Sequence, residues 1–133
     1  MDDVDLLIER LVAAPEVQED PELVTRIFER RRRDQVEAAR DDLSGKSIDE
    51  RVHHLTELLD SQGYLADCET LDPGHHRINL HSCPMWGVAS HYRQACTNEL
   101  EFLRDLLPAA KVERVTHKTA GAHSCAYGIC VQD

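Results

Sequence analysis

Residues 64–80, "YLADCETLDPGHHRINL", decide how the chain around them is read. Tyr64, Ala66 and Cys68 alternate along the first half, as side chains do in a half-buried strand. "RINL" at 77–80 makes a second short extended run. Between the two, Asp72, Pro73 and Gly74 carry turn chemistry: proline presets φ, glycine accepts a left-handed backbone, and aspartate bonds to nearby amides. A β-hairpin is predicted here. Cys68 is expected as a buried thiol, and His75 and His76 as exposed residues at the turn.

Helical patterns flank the hairpin on both sides. Upstream, Ser47 and Glu50 have capping-box spacing, and Ile48, Val52, Leu55 and Leu59 then fall on one face. Gly63 is placed to end that helix. His53 and His54 lie within it as surface or boundary residues. Further back, Asp20 can cap and Pro21 can open a long helix. Its apolar stripe of Val24, Phe28, Val36, Ala39 and Leu43 is thin and interrupted at Arg32. Such a stripe reads as an arm packed on a partner chain better than as a core element. Residues 1–46 are therefore expected to form a helical arm that makes a homodimer, and residues 47–133 the main body. Val4, Leu7 and Leu11 suggest a short first helix.

Downstream, a brief helical piece is expected from Met85 to Ala89. A longer helix follows from about Tyr92 to Leu107 and is stopped by Pro108. Cys96, Leu100, Leu103 and Leu107 are spaced to share its inward face. "KVERVTHKT" and "SCAYGICV" form a last strand pair around the turn "AGAH". On the final strand Cys125, Tyr127, Ile129 and Val131 share one face, with Cys130 on the other. This order predicts an α+β fold, an N-terminal helical arm followed by antiparallel hairpins packed against helices.

The 133 residues and 41% hydrophobic content fit one folded domain with or without an arm. No apolar run approaches the roughly 18 residues of a membrane helix, and no basic-then-apolar leader opens the chain. A cytoplasmic protein without membrane contact is expected. The formal charge of -10 repels nucleic-acid backbones. The one basic run, "ERRRRD" at 29–34, is bracketed by acids and reads as a solvated helix face. Direct DNA binding by this chain alone is not expected. Neither a nucleophile with a matched base nor a phosphate loop is present, so the chain is not read as an enzyme.

Five cysteines cannot all be paired with one another, and in a reducing compartment ligation or redox work becomes the better account for several. Three stand apart. Cys83 precedes Pro84, where a strand gives way to a helix. Cys96 is near a helix start, where the local dipole steadies a thiolate. Cys125 is on the inward face of the last strand. Twelve and then twenty-eight residues separate them, unlike the close knuckles of zinc ribbons or ferredoxins. Three gathered thiolates repel unless a cation joins them, and soft sulfur favours zinc, copper(I) or iron-sulfur. His81, His117, His123, a nearby carboxylate or an external group are candidates for a fourth ligand. The plainer alternative is three separate core cysteines. A small thiol redox protein using Cys125 and Cys130 is disfavoured by their opposed faces.

Three stretches carry a family likeness: "GYLADCE", "NLHSCPMWGVASHYRQACTNELEFLRDLLP" and "VERVTHKTAGAHSCAYGI". Together they resemble the C-terminal sensor domain of SufR-type iron-sulfur regulators, bacterial repressors of the genes for iron-sulfur cluster assembly. The likeness spans most of residues 28–129 and is strongest from Asn79 onward. It implies that Cys83, Cys96 and Cys125 bind an iron-sulfur cluster, [4Fe-4S] in preference to [2Fe-2S]. Where some members have a further cysteine, this chain has Ala110. Family members also carry a winged helix-turn-helix domain ahead of the sensor and act as dimers on DNA. The dozen residues before the long helix are too few for that module, so an excised sensor domain or a stand-alone relative is expected. A structural or protein-interaction domain holding zinc through Cys83, Cys96, Cys125 and one histidine is the main rival.

Overall fold

Helix formation starts at Asp20, whose Oδ1 accepts from the Leu23 amide at 3.1 Å just ahead of Pro21. Both residues act as the sequence predicts, since the cap satisfies an orphan N–H and proline needs none. The chain is seen in a computed structural model, which describes residues 20–82, 93–116 and 125–131. Helix α1 runs Pro21–Leu43 and α2 runs Ile48–Leu59. The Ser47 and Glu50 capping box is complete, with the Glu50 amide 3.2 Å from Ser47 Oγ. A π-helical turn, Asp60–Tyr64, ends this second helix, and Gly63 adopts φ 97 there.

Four antiparallel strands follow: β1 Ala66–Asp72, β2 His75–Leu80, β3 Ala110–Thr116 and β4 Cys125–Val131, with helix α3, Arg93–Leu106, between β2 and β3. Their order across the sheet is β1-β2-β4-β3. The fold is mixed α+β, an N-terminal helix followed by paired strands packed on helices. Among the described residues no helix is long and apolar enough to cross a membrane. The expected short helices around residues 4–11 and 85–89 lie outside the described residues, as do Cys83, His117, His123 and the "AGAH" turn.

Register assigns each side chain to a face. His76, Ile78 and Leu80 on β2 pair with Ile129, Tyr127 and Cys125 on β4, and this is the face the helices cover. Ile78 and Ile129 are fully buried there beside Leu55, Leu103 and Leu107. His75, Arg77 and Asn79 belong to the other face, with Cys130, Gly128 and Ala126.

Two expectations are corrected. His76 is not exposed at the turn but 2% accessible within β2. Only Pro73 and Gly74 separate the strands, with Gly74 at φ +77, so alternation begins at His75 and turns His76 inward. Nor is α1 too thin to be a core element. Val24, Phe28, Val36, Ala39 and Leu43 are all at most 5% accessible, and the last three join the core cluster of the sheet. A buried side chain of this kind stabilises by roughly 1.5–3 kcal/mol, so the stripe is filled within the protomer. The interruption at Arg32 is an ion pair with Asp105 of α3 at 3.5 Å.

Candidate functional site

Cys96 and Cys125 arrive at the same side of the sheet from opposite ends of the C-terminal half. Cys96 is in the first turn of the described α3, whose Leu103 is fully buried, and is itself half-buried. Cys125 opens β4 on the helix-covered face, pairs with Leu80 and packs against the core. No disulfide links Cys68, Cys96, Cys125 and Cys130 to one another.

A polar network joins the segments that carry the two thiols. Arg114, on the inward face of β3, donates from Nη2 to the Cys96 carbonyl at 2.7 Å. Its guanidinium lies 5.8 Å from the ring centre of Tyr127, its register partner on β4 and two residues beyond Cys125. The Tyr127 hydroxyl donates to Glu99 Oε1, which returns to α3 one turn after Cys96. Tyr64 also bonds to Glu99, and Arg31 of α1 acts on it electrostatically.

The electrostatics follow from enclosure. Glu99 as a residue is half-buried, yet its carboxyl lies in the interior. Burial pushes the Glu99 carboxyl above its ordinary range, opposed by the hydrogen bonds from Tyr127 and Tyr64 and by the charges of Arg114 and Arg31. Burial likewise raises the Tyr127 phenol, helped by the adjacent carboxylate. Arg114 Nε is buried with no hydrogen-bond partner. Leaving a buried donor unsatisfied costs about 1–3 kcal/mol, so its retention calls for a reason.

The remaining candidates are placed elsewhere. His81 is exposed on the far face, with Nε2 2.6 Å from Asp67 Oδ2, so the sheet separates it from Cys125. Cys130 is on that far face as well, between register partners His75 and Lys111. Cys68 is half-buried rather than buried, with Sγ 3.4 Å from His53 Nδ1 on α2. His76 accepts or donates at Nδ1 with Thr70 Oγ1, 3.1 Å away, and its Nε2 is 2.5 Å from Asp49 Oδ1 without hydrogen-bond alignment. Among the described residues no group of three histidine, cysteine or acidic side chains is arranged to hold a metal ion. The described residues thus bring two soft thiols to one side of the sheet, with a guanidinium bonded to the backbone of one of them and its Nε unpartnered.

Sequence reading missed Glu99, Tyr127 and Arg114 as members of a site. One signal was present. Glu99 continues the i, i+3, i+7 spacing from Cys96 to Leu103, and Arg114 alternates with buried Val112, so each is a charged residue on an apolar stripe. Comparison with protein-family models gives no match, and comparison with curated proteins gives none either.

Proposed function

We propose that this chain is an iron-sulfur-binding sensor domain of a transcriptional regulator, with Cys83, Cys96 and Cys125 as thiolate ligands. What supports the reading is the convergence of Cys96 and Cys125 on one covered side of the sheet, tied by Arg114, Tyr127 and Glu99. In this reading α3 presents one thiol, β4 presents the second, and the network behind them fixes their spacing. The core formed by α1, α2 and the sheet excludes water from one side. A bound cluster supplies the redox- and iron-responsive link between these elements. His81 is dropped as a ligand because of its pairing with Asp67 on the opposite face.

DNA control requires a separate basic module, since the charge of -10 opposes contact with phosphates. Most of the basic run is engaged within the protomer: Arg32 pairs with Asp105, Arg30 pairs with Asp34 at 3.4 Å, and Arg31 acts on Glu99. A homodimer belongs to the same proposal, and sedimentation velocity tests it; protomer mass at every concentration removes that part.

The deciding experiment is anaerobic reconstitution followed by iron and sulfide analysis. Cluster is expected on the native chain and on Cys68→Ser and Cys130→Ser, and not on Cys83→Ser, Cys96→Ser or Cys125→Ser. Equal incorporation in all five variants overturns the assignment. Stoichiometric zinc with no visible absorbance would replace it by the zinc-domain reading.

A further inference from the structure

The network behind the thiols contains a buried donor, Arg114 Nε, that no acceptor in the network uses. Arg114 is a charged side chain on the inward face of a strand whose neighbouring inward residue, Val112, is 2% accessible. One of its nitrogens serves the Cys96 carbonyl at 2.7 Å. Its Nε, although shielded from solvent, donates to nothing. Among the described residues no carboxylate makes an ion pair with it. Glu99, the acid of the network, feels the charge of Arg114 but takes its hydrogen bonds from the hydroxyls of Tyr127 and Tyr64. A guanidinium is weakly hydrated and presents its donors in a fixed fork, which suits it to a partly buried anion.

We infer that Arg114 is the positioning and charge-compensating residue of the thiol site, its guanidinium balancing the thiolates of Cys96 and Cys125 and holding an N–H for sulfur. This inference rests on the proposed reading of those cysteines as ligands. Its physical basis is general. Thiolates gathered near one another repel, and a nearby cation that also donates hydrogen bonds lowers the cost of keeping them ionised. Hydrogen bonds to ligating sulfur are also a principal means by which a protein tunes such a centre. Arg114 further ties the Cys96 backbone to the β3–β4 pair, so one side chain sets both spacing and charge. Tyr127 braces it from the other side, with its ring against the guanidinium.

Cobalt(II) titration of the reduced chain under anaerobic conditions tests this, because cobalt reports thiolate coordination by its charge-transfer absorbance. Arg114→Gln is expected to fold as the native chain does, by circular dichroism and thermal melting. It should bind cobalt about ten- to a hundredfold more weakly, the usual range for removing a supporting partner of a metal ligand. Arg114→Lys, which keeps the charge and loses the fork, should recover part of that loss. Arg104→Gln, which removes a guanidinium bonded to the Val112 carbonyl and to Glu101 outside this network, should bind as the native chain does. Equal affinity in folded Arg114→Gln and native chains overturns the inference while leaving the ligand assignment standing. If Arg114→Gln does not fold, Arg114→Lys decides: affinity unchanged from native overturns the inference, and weakened affinity with Arg104→Gln unchanged supports it. A native chain that takes up neither cobalt nor cluster instead refutes the underlying reading, and this inference with it.

Discussion

The two faces of the sheet handle acidic side chains in opposite ways. On the outer face Asp67 accepts from Asn79 Nδ2 at 2.8 Å and faces His81 Nε2 at 2.6 Å, both in contact with water. Asn79 reaches Glu69 as well, and Arg77 Nε donates to the Asn79 oxygen at 3.0 Å. The hydrogen bond from Asn79, then that from His81, holds the Asp67 carboxyl below its usual value of 3.8. On the inner face Glu99 also accepts hydrogen bonds, yet its carboxyl moves upward from 4.5 because desolvation outweighs them. Similar partners give opposite shifts because the Glu99 carboxyl is enclosed and that of Asp67 is exposed. The open network is screened and contributes little, whereas in the enclosed one each charge and hydrogen bond counts for more.

Adjacent residues of β4 give the strongest contrast. Ile129→Ala empties a fully buried position on the inner face and should destabilise by about 2–5 kcal/mol. Cys130→Ser, one residue on and facing outward, should change stability by less than about 0.5 kcal/mol. Urea denaturation of both variants measures the difference, and comparable losses would contradict the assignment of faces. Next in size, Tyr127→Phe removes a donor from the enclosed Glu99 carboxyl and should cost roughly 1–3 kcal/mol. A neutral result would mean that the carboxyl does not depend on that hydroxyl.

The pH dependence separates the faces by sign. Because the folded Glu99 carboxyl titrates above its unfolded value of 4.5, the folded chain holds the extra proton between the two. That contribution is fully present below 4.5 and is lost as pH rises through the folded value. Glu99→Gln keeps an acceptor for Tyr127 and should gain stability relative to the native chain as pH is raised from 4.5. Parallel curves would place the carboxyl in water. Asp67 has the opposite sign, stabilising above 3.8 and ceasing to do so as pH falls through its lowered folded value. Asn79→Ala should shrink this effect, with a loss below about 0.5 kcal/mol at neutral pH. A larger loss would show that the outer network is not screened.

Features fixed within a few residues were legible from the sequence. Asp20 ahead of Pro21, Ser47 with Glu50, and the alternation of Cys125, Tyr127 and Ile129 each depend on local geometry alone. His76 was misplaced because burial turned on a two-residue closure at Pro73 and Gly74, where the shift of a single position exchanges faces. The stripe on α1 looked too thin because its complement on α3 is far along the chain; Thr25 meets Gln94 Nε2 at 3.2 Å across 69 positions. Glu99, Tyr127 and Arg114 were invisible as a group for the same reason, and because acids and arginines are read as surface residues by default. Convergence of Cys96 and Cys125 could be posed from spacing, while the face of His81 required the register of β2.

The seam between β2 and β4 brings together strands that the whole stretch from 81 to 124 separates, whereas β1 and β2 meet through a two-residue turn. Closing a long loop must precede any contact it rewards, so this seam should form after the hairpin beside it. Leu80 and Cys125 form its last rung. Ile78, Leu80, Tyr127 and Ile129 on the seam are all at most 2% accessible, while β1 is an exposed edge. Hydrogen exchange should therefore reach the amides shared by β1 and β2 first and leave the thiol-bearing junction among the last to open.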